Sequence, residues 1–206
     1  MKILFILRKQ ASPNIFRQII LQSITSFKDV NITICSGFFS EGNKFKLSQQ
    51  GNFANNIKAN NIKLTTIGVY NKIWMYKYLN FVSVMKSIVG TVNYTAFTSK
   101  QKWHAKIYFL KKNSEYIITI IGSSNMTSWA FGTNSPYSIE CDVVLWNPLN
   151  TDANSIILSQ ISNLNMTDYI IANQDAELDK LSIIEKLRKL EDEVLDKNNL
   201  EEPKEK

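Results

Sequence analysis

The chain has one histidine, His104, and two cysteines, Cys35 and Cys141, among 206 residues. A zinc site built from imidazole and thiolate is therefore not expected, and the acidic residues show no clustered ligand spacing. No metal or other cofactor is called for. Two cysteines are also too few for a disulfide framework. Both fall in predicted strands and read as small core residues of a reduced interior. Prolines number only four, which suits a well-buried core and argues against global disorder. Long apolar runs are missing too. The run over residues 3–7 is five residues long and no small-residue cleavage site follows it, so it reads as a first strand rather than a signal peptide. Nothing approaches the roughly 18 apolar residues of a membrane span. A soluble, cytoplasmic protein without a membrane partner is expected.

Positive charge and aliphatic side chains are plentiful. Hydrophobic residues make up 44% of the chain, enough for one sizeable domain and a small appendage. The net charge of +6 is unevenly spread: residues 1–174 carry a net +10 and residues 175–206 a net −4. A basic body fits a polyanionic partner, of which nucleic acid is the commonest. The chain is divided accordingly into a catalytic domain over 1–174 and an amphipathic helix with a charged tail over 175–206.

A strand is predicted over 2–7. Ser12 then caps a helix with Pro13 in its first turn, and Ile15, Phe16, Ile19, Ile20, Ile24 and Phe27 supply an apolar face. A second strand over 31–38 ends in S-G-F-F-S. Ligands sit at that edge of open α/β sheets, so Ser36 and Gly37 are candidates to border a substrate. Residues 44–61 are loosely helical, and a third strand covers 62–69. In the helix predicted over 72–89, Trp74, Tyr78, Phe81, Val82 and Met85 are set toward the core. Tyr76 and Lys77 have the chemistry to meet bases and phosphates. A strand over 91–97 and a basic turn over 98–102 follow. Beyond residue 147, a covering helix is predicted over 150–166 and an amphipathic one over 177–195, the latter with a charged, frayed end. Alternating strands and helices followed by consecutive strands predict an α/β fold, a mixed central β-sheet flanked by helices on both faces.

Residues 103–147 hold the chemistry. They read W-H-A-K-I-Y-F-L-K-K, then an apolar strand ending in I-G-S-S-N-M-T, then S-I-E-C-D-V-V-L-W. The run W-H-A-K-I-Y-F-L reads as a strand, so His104, Lys106 and Tyr108 are expected to share one face, setting an imidazole beside a fixed cation. The strand over 116–121 is continuously apolar and turns at Gly122. Ser123, Ser124 and Asn125 are good helix N-caps before a short turn over 126–131, so hydroxyls, an amide and free backbone N–H groups are expected to converge as an oxyanion or phosphate site. On the strand over 139–146, Glu140 and Asp142 share a face, and either carboxylate has the chemistry to hold an imidazole.

His104, Lys106, Gly122, Ser123 and Asn125, followed by Glu140, resemble the HKD motif of the phospholipase D superfamily. The longer form of that motif places an aspartate five residues after the lysine, where this chain has Lys111. That departure separates it from the lipases and synthases more than from the nuclease branch. The resemblance implies a metal-independent phosphodiesterase working through a phosphohistidine. His104 would be the nucleophile, Lys106 and Asn125 would hold the phosphoryl oxygens, Ser123 would hydrogen-bond to the site, and Glu140 would orient the imidazole. Gly122 and Ser124 would border the substrate.

One imidazole cannot both attack phosphorus and protonate the oxygen that leaves on the opposite side. With a single histidine, the second must come from another copy, which implies a homodimer. An endonuclease acting on DNA or RNA, resembling small dimeric nucleases and the catalytic domains of metal-independent restriction enzymes, is the leading expectation. The alternatives are a phospholipid phosphodiesterase and a catalytically silent dimer that binds nucleic acid.

Overall fold

A computed structural model describes residues 1–69, 72–101, 104–174 and 181–204. Trp103 and the first residues of the predicted terminal helix lie outside them. In chain order come β1 (Lys2–Arg8), α1 (Ile15–Ser26), β2 (Asn31–Ser36), a hairpin of β3 (Glu41–Gly42) and β4 (Phe45–Lys46), and a 3-10 segment, Leu47–Asn52. Then follow α2 (Phe53–Ala59), β5 (Lys63–Val69), α3 (Lys72–Val89), β6 (Tyr94–Ser99), β7 (Lys106–Lys112), β8 (Glu115–Gly122) and α4 (Ser128–Phe131). The remainder is β9 (Glu140–Trp146), α5 (Thr151–Ile161), β10 (Tyr169–Asn173), α6 (Ile183–Val194) and β11 (Leu200–Glu201).

The described strands other than β3 and β4 form one mixed sheet in the order β10-β1-β9-β8-β7-β2-β5-β6-β11. Only β2, β5 and β6 run parallel to one another. Parallel neighbours need a crossover, and the segments holding α2 and α3 supply the two required. The apolar run of β8 sits between β7 and β9, buried from Tyr116 to Ile120, as a continuous apolar strand must be.

One sheet face packs on the helical layer. Ile15, Phe16, Ile19, Ile20 and Ile24 of α1 meet Leu4, Ile6, Ile34, Tyr108 and Ile120 of the sheet in one apolar cluster. From α3, Phe81 stacks on Phe39 at 5.4 Å between centroids, and the Tyr78 hydroxyl reaches Phe97 O at 2.8 Å.

The other face is covered by α6, whose Ile183, Leu187 and Val194 lie on Cys35, Ile67, Ile107, Phe109 and Tyr116. Glu191 of α6 accepts from Lys111 Nζ at 2.5 Å and from the Tyr116 hydroxyl at 2.6 Å. The terminal helix therefore lies on its own sheet. Helices cover both faces, as predicted. The expected frayed end is corrected over its described part, where Leu200 and Glu201 pair with Ser99 and Thr98 of β6.

Other expectations are corrected. The cap of α1 is Asn14, whose side chain accepts from Arg17 N, so Ser12 and Pro13 precede the helix. The loosely helical 44–61 is a hairpin and a 3-10 segment before the short α2. Cys141 is exposed, since it points away from the helical layer where α6 does not reach; Cys35 is buried. Among the described residues, no helix is long and apolar enough to cross a membrane.

Candidate active site

Lys106 opens β7 opposite Gly122, the last residue of β8, and Gly122 lies opposite Asp142 on β9. A Cβ on Gly122 would fall 2.0 Å from Asp142 Oδ1 and 2.7 Å from Cys141 O, so the turn admits only glycine without displacing the carboxylate. Across the sheet, β2 ends at Ser36 beside the same point. A Cβ on Gly37 would be 3.5 Å from Asn125 Oδ1 and 4.0 Å from Lys106 Cε. The fold thus brings Lys106, Gly122, Asn125, Ser36 and Gly37 together from three separate stretches.

His104 is not on the strand. Pairing between β2 and β7 ends at Ile107, and β7 itself starts at Lys106. His104 is exposed, two residues ahead, and its backbone carbonyl accepts from Lys106 Nζ at 2.5 Å. Lys106 and Tyr108 do share a face of β7, but His104 lies outside the paired strand, so strand alternation does not set the side of its imidazole. Among the described residues the ring has no hydrogen-bond partner, and Glu140, expected to orient it, accepts a short hydrogen bond from Ser123 Oγ instead.

The turn after β8 differs from a set of helix caps. Helix α4 begins at Ser128 with Thr127 at its N-cap. Ser123 N donates to Cys141 O at 3.1 Å, and Ser123 Oγ accepts from Cys141 N at 3.0 Å. Ser124 is buried, with Oγ 2.6 Å from Asp142 Oδ2 and its amide 3.3 Å from Asp142 Oδ1. Met126 N donates to Ser36 Oγ at 3.2 Å. The two carboxylates of β9 draw down the hydroxyls, and the amides of Ser123, Ser124 and Met126 are used internally. Ser36 is likewise buried, its hydroxyl donating to Phe38 O at 2.9 Å. Asn125 stays half-buried. Its Oδ1 accepts from Phe38 N at 3.2 Å, and its Nδ2 has no partner among the described residues. Asn125 Nδ2 and the remaining protons of Lys106 Nζ are donors that can meet an anion.

Two residues were not picked out as functional from sequence. Arg8 lies opposite Glu140 in register and is only 6% exposed. Its guanidinium donates to five carbonyls: Gln10 O at 3.0 Å, Trp129 O at 3.1 Å, Ala130 O at 2.7 Å, Ala11 O at 3.0 Å and Gly132 O at 3.1 Å. Asn14 Nδ2 adds bonds of 2.9 Å to Ala130 O and Gly132 O. Only their spacing from a loop more than a hundred residues away makes them a pair, and no local pattern carries that.

Burial and charge oppose each other here. Desolvation lowers the Lys106 ammonium below its usual range while Glu140, Cys35 and Asp142 pull it back up. Burial pushes the Cys35 thiol up to about 12, against the pull of Lys106. Burial raises the Asp142 carboxyl from 3.8 to about 6, although hydrogen bonds from Ser124 act to lower it. A carboxyl whose folded pKa is raised binds more protons folded than unfolded, so stability falls as pH climbs from about 4 to about 6 and then levels. Asp142→Asn keeps the acceptor for Ser124 N and removes the charge. Its melting temperature relative to the parent is expected to rise across that same interval and plateau above it, read by thermal denaturation at several pH values. A constant difference from pH 4 to 7 would show that Asp142 carries no such cost. Among the described residues, no group of three His, Cys, Asp or Glu side chains is placed to hold a metal ion.

A family model described as the NgoFVII restriction endonuclease N-terminal PLD domain matches residues 13–167. No curated protein sequence matches significantly. Among solved structures, the phosphatidylserine synthase of Haemophilus influenzae Rd KW20 aligns with a TM-score of 0.53 at 13% identity, over 93% of this chain and 45% of that one. A mutant of the yeast tyrosyl-DNA phosphodiesterase aligns with a TM-score of 0.42 at 14% identity, over 69% of this chain and 46% of that one. The chain thus spans less than half the length of either. The synthase shares the fold, and the family match covers the strands and turns that carry Ser36, Gly37, His104, Lys106, Gly122, Asn125 and Glu140. On that match, the chain belongs to the family of the NgoFVII restriction endonuclease N-terminal PLD domain.

Proposed function

We propose that this chain is a nuclease that hydrolyses phosphodiester bonds in DNA or RNA without a metal ion, at a site completed by a second copy of itself. The observation that carries this reading is the meeting of Lys106, Asn125 and Gly37, with Lys106 Nζ bonded to the backbone carbonyl of the exposed His104. A phosphate there meets two donors, one of them cationic, and a close backbone approach at Gly37. The family is named for a restriction endonuclease, and the body is basic, which favours nucleic acid over lipid.

In the proposed sequence, a nitrogen of one His104 imidazole bonds to phosphorus as the bond to the leaving oxygen breaks. The charged imidazole of His104 of the partner subunit gives that oxygen its proton. The same ring, now neutral, takes a proton from water, whose oxygen displaces the first imidazole from phosphorus. Lys106 and Asn125 hold the non-bridging oxygens. Glu140 acts through Ser123, Gly122 leaves room for Asp142, and Ser124 and Ser36 position the turns around them. Residues 1–174 carry this chemistry, and the described part of 175–206 covers the sheet.

Association is supported by a bare apolar area on the face away from the helical layer. Phe5 is 40% and Leu7 39% exposed on β1, and they lie opposite Val143 and the exposed Cys141 of β9 in register. The described residues leave this area uncovered beside the strand ends that hold the site.

Plasmid, single-stranded DNA, RNA and phospholipid vesicles incubated with the protein in excess chelator distinguish the possibilities. Cleavage of a nucleic acid that persists in chelator, with an acid-labile phosphoenzyme after rapid quench, is expected. Activity lost in chelator and restored by magnesium, or turnover of phospholipid alone, would overturn the reading.

A further inference from the structure

The β3–β4 hairpin stands next to the candidate active site and is tied to the segment that follows Asn125. Ser40 N donates to Met126 O at 2.9 Å, and Phe39 bridges to Met126. A recess lies on each side of the hairpin, about 560 Å³ toward the 128–136 loop and about 420 Å³ toward the first half of α3. Lys44, Phe45 and Ser128 line both. Each also holds one exposed aromatic ring, Trp129 (55% exposed) in the first and Tyr76 (53%) in the second.

The second recess connects to the site by direct contacts. Phe38, whose amide donates to Asn125 Oδ1 at 3.2 Å, packs its ring on Trp74 at 5.0 Å. Lys77 Nζ stands 4.0 Å from the Trp74 ring and 5.9 Å from Tyr76. Trp74, held between Phe38 and Lys77, is a support; Tyr76 and Trp129 are the rings that present open surface. The only carboxylate among the lining residues is Glu41, which is buried and already accepts from Ser48 N at 3.0 Å and Ser48 Oγ at 2.7 Å. The charges facing a ligand are therefore those of Lys44 and Lys77.

We propose that this ledge is the track of a single strand of nucleic acid running from the active site, with unpaired bases stacked on Tyr76 and Trp129 and the backbone between them passing Lys44 and Lys77. The proposal rests on the phosphodiesterase reading for its polymer. Stacking on the open face of a ring requires a base that has left its duplex, and the combination of aromatic platforms with a basic groove is that of sequence-tolerant single-strand binding.

Binding of a labelled oligothymidylate to the full chain carrying His104→Ala, followed by anisotropy, tests the track without turnover. Adding Trp129→Ala or Tyr76→Ala is expected to weaken binding about tenfold each, and Trp129→Phe, which keeps a platform, by much less. Adding Lys44→Ala is expected to flatten the slope of log affinity against log salt by about 0.7, the loss of one phosphate contact on a single strand. Unchanged oligothymidylate binding by the chain that also carries Trp129→Ala and Tyr76→Ala together would overturn the track. So would losses confined to a duplex of the same length. Failure of the wild-type chain to cleave any phosphodiester would instead sink the function proposed above, leaving the binding result to stand by itself.

Discussion

Replacing His104 with alanine is expected to lower phosphodiester hydrolysis by about 10⁴-fold or more, equivalent to about 5 kcal/mol of barrier at 1.36 kcal/mol per decade. The same change should leave stability within about 0.5 kcal/mol of the parent, because the ring is exposed and has no hydrogen-bond partner among the described residues. An enzyme that lost activity and stability together would point to a structural histidine. Mixing separates the shared site from a solitary one. When wild-type and His104→Ala chains exchange freely in equal amounts, about half the wild-type chains are paired with a mutant. If both imidazoles are needed, the rate per wild-type chain falls to about half; independent sites leave it unchanged. The rate is read on oligonucleotide cleavage after the mixed sample has equilibrated, against wild-type protein at the same total concentration. An unchanged rate with proven exchange would remove the partner imidazole from the mechanism.

Much of this architecture is legible in the residues, and the exceptions share a cause. Helix α3 falls on the predicted 72–89, and the strand over 62–69 on β5, because apolar spacing over seven or more residues reports directly which face is buried. Glu140 and Asp142 do share a face, and Gly122 does end a strand, both consequences of local geometry. Strands of two residues, β3, β4 and β11, have no period to detect. β3 and β4 pair only with each other, whereas β11 depends on β6 and β10 on β1, both far away in sequence. The site shows the same division. Residue types near strand ends pointed to Lys106, Asn125 and Gly37, which the fold brings together. Hydroxyl donors looked like helix caps because nothing local reveals that β9 brings two buried carboxylates alongside them. Tyr76 and Lys77 are on a helix whose other face is core, and only the position of the β3–β4 hairpin gives their outward side a neighbour.

Arg8→Met is expected to cost about 3–5 kcal/mol of stability, the largest effect of any single change considered, measured by chemical denaturation. A methionine fills much of the space yet donates nothing to the five carbonyls that Arg8 now satisfies, two of which are bonded out of contact with water. It also removes the cation opposite Glu140, leaving that carboxylate and Asp142 with less compensation for their burial. Arg8→Lys restores the charge but offers one ammonium in place of a planar fork, so it is expected to recover only part of the loss. Because Arg8 grips Trp129 O, Ala130 O and Gly132 O, the damage concentrates in the loop that carries the Trp129 ring. Hydrogen exchange of the 128–133 amides should therefore quicken in Arg8→Lys before global unfolding does. Exchange that quickens uniformly across the sheet would mean that Arg8 braces the whole strand β1 and not the loop. A loss below about 1 kcal/mol in Arg8→Met would mean that water replaces the guanidinium at those carbonyls with little cost.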